Sequence, residues 1–184
     1  PSLLAVSAVH QYLVRTKKQT SLTLILESGA PREVHHFAAL LGYGACAVNP
    51  YLALDTIREL IEEHMLPKDY YAAVDDYCHC ILHGIVKIAS KMGISTLQSY
   101  QGAKIFEAVG ISDEIVERYF KGTVSRIGGI VMEDIEKQVS ELHSRAFDPL
   151  GLEVNLNLES LGKHKRRSQG EEHRYDPETI HLLQ

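Results

Sequence analysis

The feature of this sequence that most restricts its fold is a repeated step from a short apolar run to an amphipathic helical pattern. Residues 20–27 (TSLTLILE) are rich in Leu, Ile and Thr and are followed by Ser-Gly, which is typical of a short strand buried on both faces. Pro31 suits the first position of a helix over residues 32–41, which Gly42 would end. This step predicts a β-strand followed by an α-helix.

The same step then occurs a second time. The apolar run at residues 45–48 predicts another strand, and Asn49 followed by Pro50 suits a helix cap and a first helical turn. The predicted helix has an apolar inner face and stops at Pro67. Its inward positions are Leu54, Ile57 and Ile61. Strands and helices that alternate with short connections predict partial parallel βα units, and therefore an α/β fold.

Residues 69–146 carry mostly helical patterns. Apolar residues recur every three or four positions, and glycines or capping residues stand at the ends of the segments. The predicted helices cover residues 69–92, 100–109, 113–120 and 133–146. Ser95 would open a capping box before the second of these helices, Ser112 would cap the third, and residues 125–130 form a turn or a short strand. This segment is therefore predicted to be mainly helical.

The composition changes after Asp148, where Leu first alternates with polar residues and an almost wholly polar stretch follows. Residues 147–174 are predicted to form an irregular connector. Asp176-Pro177 looks like a helix start, with too little chain after it for an independent helix. We therefore divide the chain into βα units at 1–68, a helical junction at 69–146, and a connector with a truncated next element at 147–184.

Charge and cysteine usage exclude several classes of protein. Lys and Arg number 19 against 24 Asp and Glu, a net charge of −5, so binding to nucleic acid through bulk charge is not expected. No apolar stretch reaches the ~18 residues of a membrane span. Three cysteines, two of them one residue apart, do not form a disulfide framework and favour a reducing, cytoplasmic location. Residues 1–9 lack the basic start of a signal peptide, and Pro1 in place of Met predicts a start inside a longer product.

Two clusters were weighed as metal sites. Glu33-Val-His35-His36 lacks zinc-protease spacing, and adjacent helical histidines point about 100° apart, which favours helix or interface histidines. Cys78-His79-Cys80 with His83 offers the thiolate and imidazole ligands of zinc. On a helix, however, Cys78 and Cys80 would lie about 200° apart. No metal is expected, and ligation by the second cluster is kept as the alternative.

Three glycine-containing turns were weighed as binding sites. Gly42-Tyr43-Gly44 lies between a helix and a strand, so it is predicted to be a C-cap turn and not a phosphate loop. Residues 92–96 open a helix and could bind an anion or a partner; FMN is the weaker option, because one helix N-terminus forms only part of a cofactor pocket. Arg126, within residues 125–129, could act as a site cation, but pairing with a carboxylate is the favoured interpretation.

No other motif points to chemistry. The basic run at residues 163–167 could be a nuclear-localisation or RNA patch, but Glu171 and Glu172 follow and no aromatic residue is interleaved, which favours a solvated linker. The sequence shows no recognisable Ser/His/Asp arrangement, Walker loop, pair of catalytic carboxylates or iron–sulfur spacing. We therefore predict no catalytic, cofactor-binding or metal-binding residue in this chain.

Several long stretches, in the same order, resemble the large subunit of glutamate synthase. The clearest are residues 1–10 (PSLLAVSAVH), 33–37, 42–45, 49–53, 90–100 (SKMGISTLQSY), 102–107, 125–130 (SRIGGI) and 175–180. The resemblance covers the whole chain. It implies the end of the barrel-like central domain followed by the entry to the FMN-binding domain.

The resemblance also implies a function for the parent protein. Glutamate synthases hydrolyse glutamine, channel the ammonia and use it to aminate 2-oxoglutarate reductively, with FMN and a [3Fe–4S] cluster. The family's nucleophilic cysteine would precede Pro1, and its FMN barrel and cluster cysteines would follow Gln184. The resemblance therefore makes this chain a non-catalytic scaffold that binds no cofactor alone and contacts the remaining domains or subunits.

Two stretches of this sequence depart from the family pattern. Residues 78–83 stand where the family has a plainer helix containing Lys and Gly, and residues 147–174 also depart from the pattern. The alternative is an autonomous partner-binding module derived from the family. Because apolar faces such as Ile81/Ile85/Ile88 need a covering surface, the chain alone is expected to be marginally stable or to self-associate. The electron donor, whether ferredoxin, NADH or NADPH, is left open.

Overall fold

The computed structural model describes residues 1–147, 162, 165–168 and 170–184. The chain divides into two compact units, Pro1–Ser140 and Glu141–Gln184. The helices are α1 (Ser2–Arg15), α2 (Val34–Gly42), α3 (Tyr51–Glu62), α4 (Tyr70–Lys91), α5 (Leu97–Tyr100), α6 (Asp113–Tyr119), α7 (Met132–Ala146) and α8 (Pro177–Leu183), with a 3-10 turn at Gln19–Ser21. The strands are β1 (Ile25–Glu27), β2 (Ala47–Asn49), β3 (Glu107–Ile111) and β4 (Val124–Ile130).

The described strands form two separate two-stranded parallel sheets. β1 pairs with β2 in the register Ile25–Ala47, and α2 connects the two strands. β3 pairs with β4 from Glu107–Val124 onward, with α6 as the connection, and the register shifts twice along this pair. Each sheet is thus a βαβ unit, and the predicted α/β class with partial parallel βα units is confirmed.

The sequence patterns predict no helix over residues 2–15, yet α1 packs against two of the hydrophobic clusters through Leu3, Leu4 and Val6. No glycine or proline interrupts it after Pro1, and Val6 and Leu13 are buried. Three polar residues, Ser7, His10 and Gln11, are also buried along this helix. The usual apolar spacing of an amphipathic helix is therefore obscured by polar side chains on the inward face.

The first predicted strand was too long and too buried. Residues 20–27 were predicted to be a strand buried on both faces, but only Ile25–Glu27 is extended, and a 3-10 turn precedes it. Ile25 is 71% exposed. Within the described residues β1 has one neighbour, β2, so its outer surface lacks the cover that the apolar sequence requires.

Two predicted helix starts and one helix end are wrong by a few residues. Pro31 is not the first helical residue; it is fully buried, and Glu33 caps α2 instead. Asn49 ends β2, so Pro50 occupies the N-cap position of α3. That helix ends at Glu62, well before Pro67, because His64 adopts the left-handed conformation at φ 59°.

The predicted helix at residues 100–109 is wrong. Thr96, not Ser95, caps a helix of only four residues, and the chain then turns through Gly102 and Lys104, both at positive φ. Residues Glu107–Ile111 form β3 instead. Pairing with β4, which follows α6, is a tertiary contact that overrides the local helical pattern. The middle of the chain therefore contains a parallel sheet as well as helices.

The remaining elements follow the sequence. Asp69 caps α4 by accepting from the main-chain N–H of Tyr71 and Ala72, and the helix runs to Lys91 as expected. α6, β4 and α7 match the predicted segments within one or two residues, and Asp176 caps α8. Most of the predicted connector at 147–174 lies outside the described residues, and the boundaries at 68 and 146 stay predictions.

None of the described helices combines the length and the apolar content needed to cross a membrane.

Candidate functional site

The cysteine and histidine cluster lies along α4 and is open to solvent. Cys78 and Cys80 are exposed, and His79 Nδ1 lies 3.9 Å from a carboxylate oxygen of Asp75 one turn earlier. Across the residues that the structure describes, no group of three or more His, Cys, Asp or Glu side chains is placed to hold a metal ion. That no metal binds here stays a prediction.

The two adjacent histidines have structural roles, His36 in the start of α2 and His35 in the wall of a cavity. His36 Nδ1 accepts from the main-chain N–H of Arg32 at 3.2 Å and of Glu33 at 3.3 Å, and it forms a capping box with Glu33. His35 lines an apolar cavity next to Pro31. These positions agree with the interpretation of both residues as helix or interface histidines.

The three glycine-containing turns lie at the ends of helices or within a strand pair. Tyr43 follows the last residue of α2 and Gly44 has φ +109°, so this turn is a C-cap as predicted. The turn at residues 92–96 contains Gly93 at φ +72° and leads into the four-residue α5. Arg126 lies 3.4 Å from Glu107 across β3 and β4, which is the carboxylate pairing that was favoured. The basic run at 163–167 is only partly described.

One set of polar contacts joins α1, the residue after α2 and the turn after α5 to the last residue of α6 and the turn that follows it. Ser7 donates to the carbonyl oxygen of Tyr119, and Tyr43 Oη lies 2.7 Å from Thr123 Oγ1. The carbonyl oxygen of Lys121 accepts from Gln11 Nε2 at 3.4 Å and from Lys104 Nζ at 3.0 Å. We call this set of contacts the α6 joint. It satisfies the carbonyl group of Tyr119, which the end of α6 leaves without an intrahelical partner, and the carbonyl group of Lys121 just beyond the helix.

Aromatic packing surrounds the α6 joint. Tyr43 stacks on Phe106 with ring centroids 5.7 Å apart, and its edge meets Phe120 at 5.3 Å. Both Tyr43 and Phe120 are buried, as are Ile115 and Val116 of α6 in the same cluster. Burial raises the pKa of Tyr43, and the hydrogen bond with Thr123 opposes that rise. The Tyr43 hydroxyl therefore stays protonated and acts as a structural hydrogen-bonding group.

A second polar feature is a cavity of about 170 Å³ beside His10. The ring of His10 is 7% exposed, and its Nδ1 has no hydrogen-bond partner among the described residues. Burial, together with the positive charge of Lys104, lowers the pKa of His10. Burial and the nearby Lys121 also lower the pKa of Lys104. His10 is therefore neutral near pH 7.

Sequence reasoning missed the residues that make both features. Ser7, His10 and Gln11 come from α1, which received no element, and Thr123 follows a glycine turn. The sequence did contain one signal for α1. Val6, His10 and Leu13 recur at helical spacing if His10 is counted among the inward-facing residues. The carbonyl groups that accept from Ser7 and Gln11, at Tyr119 and Lys121, are more than 100 residues away in sequence, and no local pattern reports such a contact.

Residues 1–112 match the family model for the glutamate synthase central domain. The chain belongs to the glutamate synthase family. The matched segment ends at Ser112, the residue that precedes α6. Of the groups in the α6 joint, Ser7, Gln11, Tyr43 and Lys104 lie inside the matched segment, and residues 119–123 lie beyond it.

Individual glutamate synthases match the full chain. It is 50% identical over 184 residues to the glutamate synthase (NADPH) large chain of Bacillus subtilis (strain 168). It is 43% identical over 185 residues to the NADH glutamate synthase of Schizosaccharomyces pombe, and 42% identical over 193 residues to the ferredoxin-dependent glutamate synthase of Cyanidium caldarium. Each match covers all of this chain but only 12%, 9% and 12%, respectively, of the relative. Similarity therefore extends to relatives named for three different electron donors.

Proposed function

We propose that this chain is a non-catalytic scaffold within a glutamate synthase, which makes L-glutamate from L-glutamine and 2-oxoglutarate by reductive transfer of the amide nitrogen. The observation that carries the proposal is the α6 joint. It connects the matched central-domain segment to the residues that follow Ser112 through buried rings and hydrogen bonds. A connection of this kind resists bending far better than a linker, so it can hold an amidotransferase site and an FMN site in a fixed relation.

The cofactors of the parent are proposed to bind outside this chain. A [3Fe–4S] cluster needs several thiolates, but Cys46, Cys78 and Cys80 are exposed and do not form a ligand group in the described part of the chain. The cavities described here measure about 170 to 270 Å³. That is below the ~300–1,000 Å³ of typical cofactor pockets. The residues present do not fit either group, and we assign no reaction step to them.

Exposed apolar surface on both sheets supports the proposal that other glutamate synthase domains or subunits are the partners. Ile25 of β1, Val109 of β3 and Ile127 of β4 are each at least 60% exposed. Val109 and Ile127 are paired across the second sheet. Parallel sheets are almost always covered on both faces, and neighbouring domains of a larger enzyme would provide that cover.

An autonomous partner-binding module is the alternative. The same exposed residues, Val109 and Ile127, could bind an unrelated partner. Only the scaffold proposal predicts that this chain restores glutamate formation when it is mixed with the other glutamate synthase domains. That prediction distinguishes the two proposals.

The experiment is an assay of glutamate formation from glutamine and 2-oxoglutarate, with FMN and a reductant supplied. The chain is tested alone, and mixed with the flanking domains expressed without it. The scaffold proposal expects no turnover by the chain alone and turnover on mixing. Turnover by the chain alone would overturn the assignment of all catalytic groups to other sequence. No turnover in either case would favour the autonomous module.

A pair of variants tests the α6 joint in the same assay. Phe120→Ala removes a buried ring from the joint, whereas Leu182→Ala changes a residue that is 79% exposed. We expect the first change to reduce the activity restored on mixing and the second to leave it unchanged. Circular dichroism of each variant separates loss of the joint from loss of the fold. Equal activity of a folded Phe120→Ala chain would contradict the proposal.

A further inference from the structure

The cavity beside His10, which we call the His10 cavity, is lined without charged side chains among the described residues. Its polar lining comes from a neutral histidine, the thiol of Cys46 and glutamines that include Gln98 and Gln101. Two glycines, Gly44 and Gly102, complete the part of the wall that matters here. A wall of this kind favours an uncharged ligand that can both donate and accept hydrogen bonds.

The unpartnered nitrogen of His10 indicates which tautomer is present. Nδ1 is buried and has no hydrogen-bond partner among the described residues. A buried N–H without an acceptor is rarer in proteins than a buried acceptor without a donor. We therefore place the single proton of the neutral ring on Nε2. His10 then presents an N–H donor at Nε2.

The two glycines make room at this edge of the ring. A methyl group at Gly44 would lie 2.3 Å from His10 Cδ2 and 3.0 Å from Nε2, so glycine is required for the ring to pack there. A methyl group at Gly102 would lie 3.4 Å from Nε2 and 3.6 Å from Cε1, in contact with this edge of the ring. Both glycines have positive φ, which other residues rarely adopt. Space in front of Nε2 is thus a property of the backbone.

Gln101, which also lines the cavity, offers a hydrogen-bond acceptor. Gln101 Nε2 already donates to the carbonyl oxygen of Ala45 at 3.1 Å and to Cys46 Sγ at 2.8 Å. A primary amide nitrogen carries two N–H donors, so the carbonyl oxygen is what Gln101 can still offer to a ligand. A ligand that matches the cavity therefore accepts from His10 and donates to a glutamine carbonyl.

We propose that the His10 cavity binds a small uncharged carboxamide. Its carbonyl oxygen accepts from His10 Nε2–H, and its amide N–H groups donate to the glutamine side chains. Water occupies about 30 Å³ per molecule in the liquid, so a cavity of about 170 Å³ has space for a ligand of a few heavy atoms. The site is independent of the proposed scaffold role, and either can fail without the other.

The test is a titration of the 184-residue chain with acetamide at pH 7.5, followed by the backbone amide resonances of Gly44 and Gly102. Acetate, which has the same shape and a negative charge, is the matched ligand. We expect saturable binding of acetamide at a single site, and binding of acetate at least about tenfold weaker. With four heavy atoms, acetamide cannot bind tighter than roughly tens of micromolar. A response without saturation up to ~100 mM, or equal binding of acetate, would overturn the proposal.

Variants connect the response to the cavity. Gln98→Ala changes an exposed residue at the cavity, and Gln138→Ala is the same substitution on α7, away from it. We expect weaker acetamide binding for Gln98→Ala and for His10→Gln, and unchanged binding for Gln138→Ala. If His10→Gln does not fold, Gln98→Ala decides the question. Binding that is the same in Gln98→Ala and Gln138→Ala would contradict the proposed site.

Discussion

At the scale of single residues, one pair of hydroxyl groups is decisive for the α6 joint. Tyr43 Oη and Thr123 Oγ1 are buried 2.7 Å apart and satisfy each other. Tyr43→Phe removes one partner and leaves the Thr123 hydroxyl buried without it, at a cost of ~1–3 kcal/mol. We expect the free energy of unfolding to fall by that amount. Urea denaturation measures it as a lower midpoint concentration, with the dependence of the free energy on urea concentration unchanged.

The double variant supplies the control for this prediction. Tyr43→Phe with Thr123→Val removes both polar partners, and such replacements are often close to neutral. The double variant should therefore be more stable than Tyr43→Phe alone. Tyr71→Phe, at a tyrosine that is 79% exposed, should leave the midpoint unchanged. A double variant less stable than Tyr43→Phe would show that packing, not the hydrogen bond, causes the loss.

His10 makes stability depend on pH in a predictable direction. Burial and Lys104 lower its pKa in the folded chain below the ordinary value of 6.5. Below pH 6.5 the unfolded chain binds a proton at His10 that the folded chain does not bind. The stabilisation that neutral His10 gives above pH 6.5 is therefore lost as the pH falls. We expect unfolding free energies measured from pH 8 to pH 5 to fall more steeply for the native chain than for His10→Gln. Parallel curves would contradict this prediction.

Polar residues also mark the limit of what could be predicted at this scale. Ser112 and Asp176 were recognised as helix starts because capping depends on neighbours two or three residues away. Ser112 does occupy the N-cap position, but its hydroxyl makes no capping hydrogen bond among the described residues. Ser7 and Gln11 were not recognised, because their partners are the carbonyl groups of Tyr119 and Lys121, more than 100 residues later in the sequence. A buried polar residue resembles a surface residue until its distant partner is known.

At the scale of elements, the contact between α2 and α4 depends on a glycine. A methyl group at Gly84 would lie 2.5 Å from Val34 Cγ1, closer than side-chain atoms approach. Alanine gains about 1 kcal/mol over glycine in a helix interior. Overpacking costs ~1–3 kcal/mol, so the net effect of Gly84→Ala is expected to be destabilising. The change in unfolding free energy on urea denaturation checks this result.

The effect of Gly84→Ala on the free energy of unfolding should change sign when the contact with Val34 is relieved. In a Val34→Ala background the two methyl groups at 2.5 and 2.6 Å are gone and only Val34 Cβ, at 3.1 Å, stays close. A shift of a few tenths of an ångström relieves that contact, so Gly84→Ala should then stabilise the chain relative to Val34→Ala alone. The comparison is internal, since both chains lack the Val34 side chain. Destabilisation in both backgrounds would mean that the close approach to Val34 does not explain the glycine.

The contrast between α4 and β3 shows which elements the sequence can predict. α4 has 22 residues, a capping aspartate and repeated apolar positions, so its local signals agree. β3 has five residues, and its apolar positions fit a helix equally well. Only the pairing of β3 with β4 distinguishes a strand from a helix here. That pairing joins residues on either side of α6 in the sequence. Long elements with caps were therefore predicted, and short strands were predicted only where glycines framed them.

At the scale of the whole molecule, chains truncated at different positions should differ in whether they fold. The packed clusters of the described residues draw only on positions from Leu3 to Ile135. A chain of residues 1–147 is therefore expected to unfold cooperatively with nearly the native urea midpoint. A chain of residues 1–112 is expected to lose cooperative unfolding, because it lacks the α6 side chains that cover Tyr43 and Ala108.

Near-ultraviolet circular dichroism of the two truncated chains provides the measurement, since it reports fixed aromatic packing. The 1–147 chain should keep the signal of the ring cluster around Tyr43, and the 1–112 chain should lose it. A native-like signal from 1–112 would show that the matched central-domain segment folds without α6. In that case the α6 joint would be an addition to the core and not part of it.

The separation in sequence between the two sides of the α6 joint has a consequence for synthesis on the ribosome. Ser7 and its acceptor at Tyr119 are 112 residues apart. At ~5–20 residues per second, α1 waits several seconds after it is made before its acceptor exists. During that interval its polar side chains have only water or other proteins as partners. We expect chaperones to bind the nascent chain most strongly in this window, before α6 has left the exit tunnel.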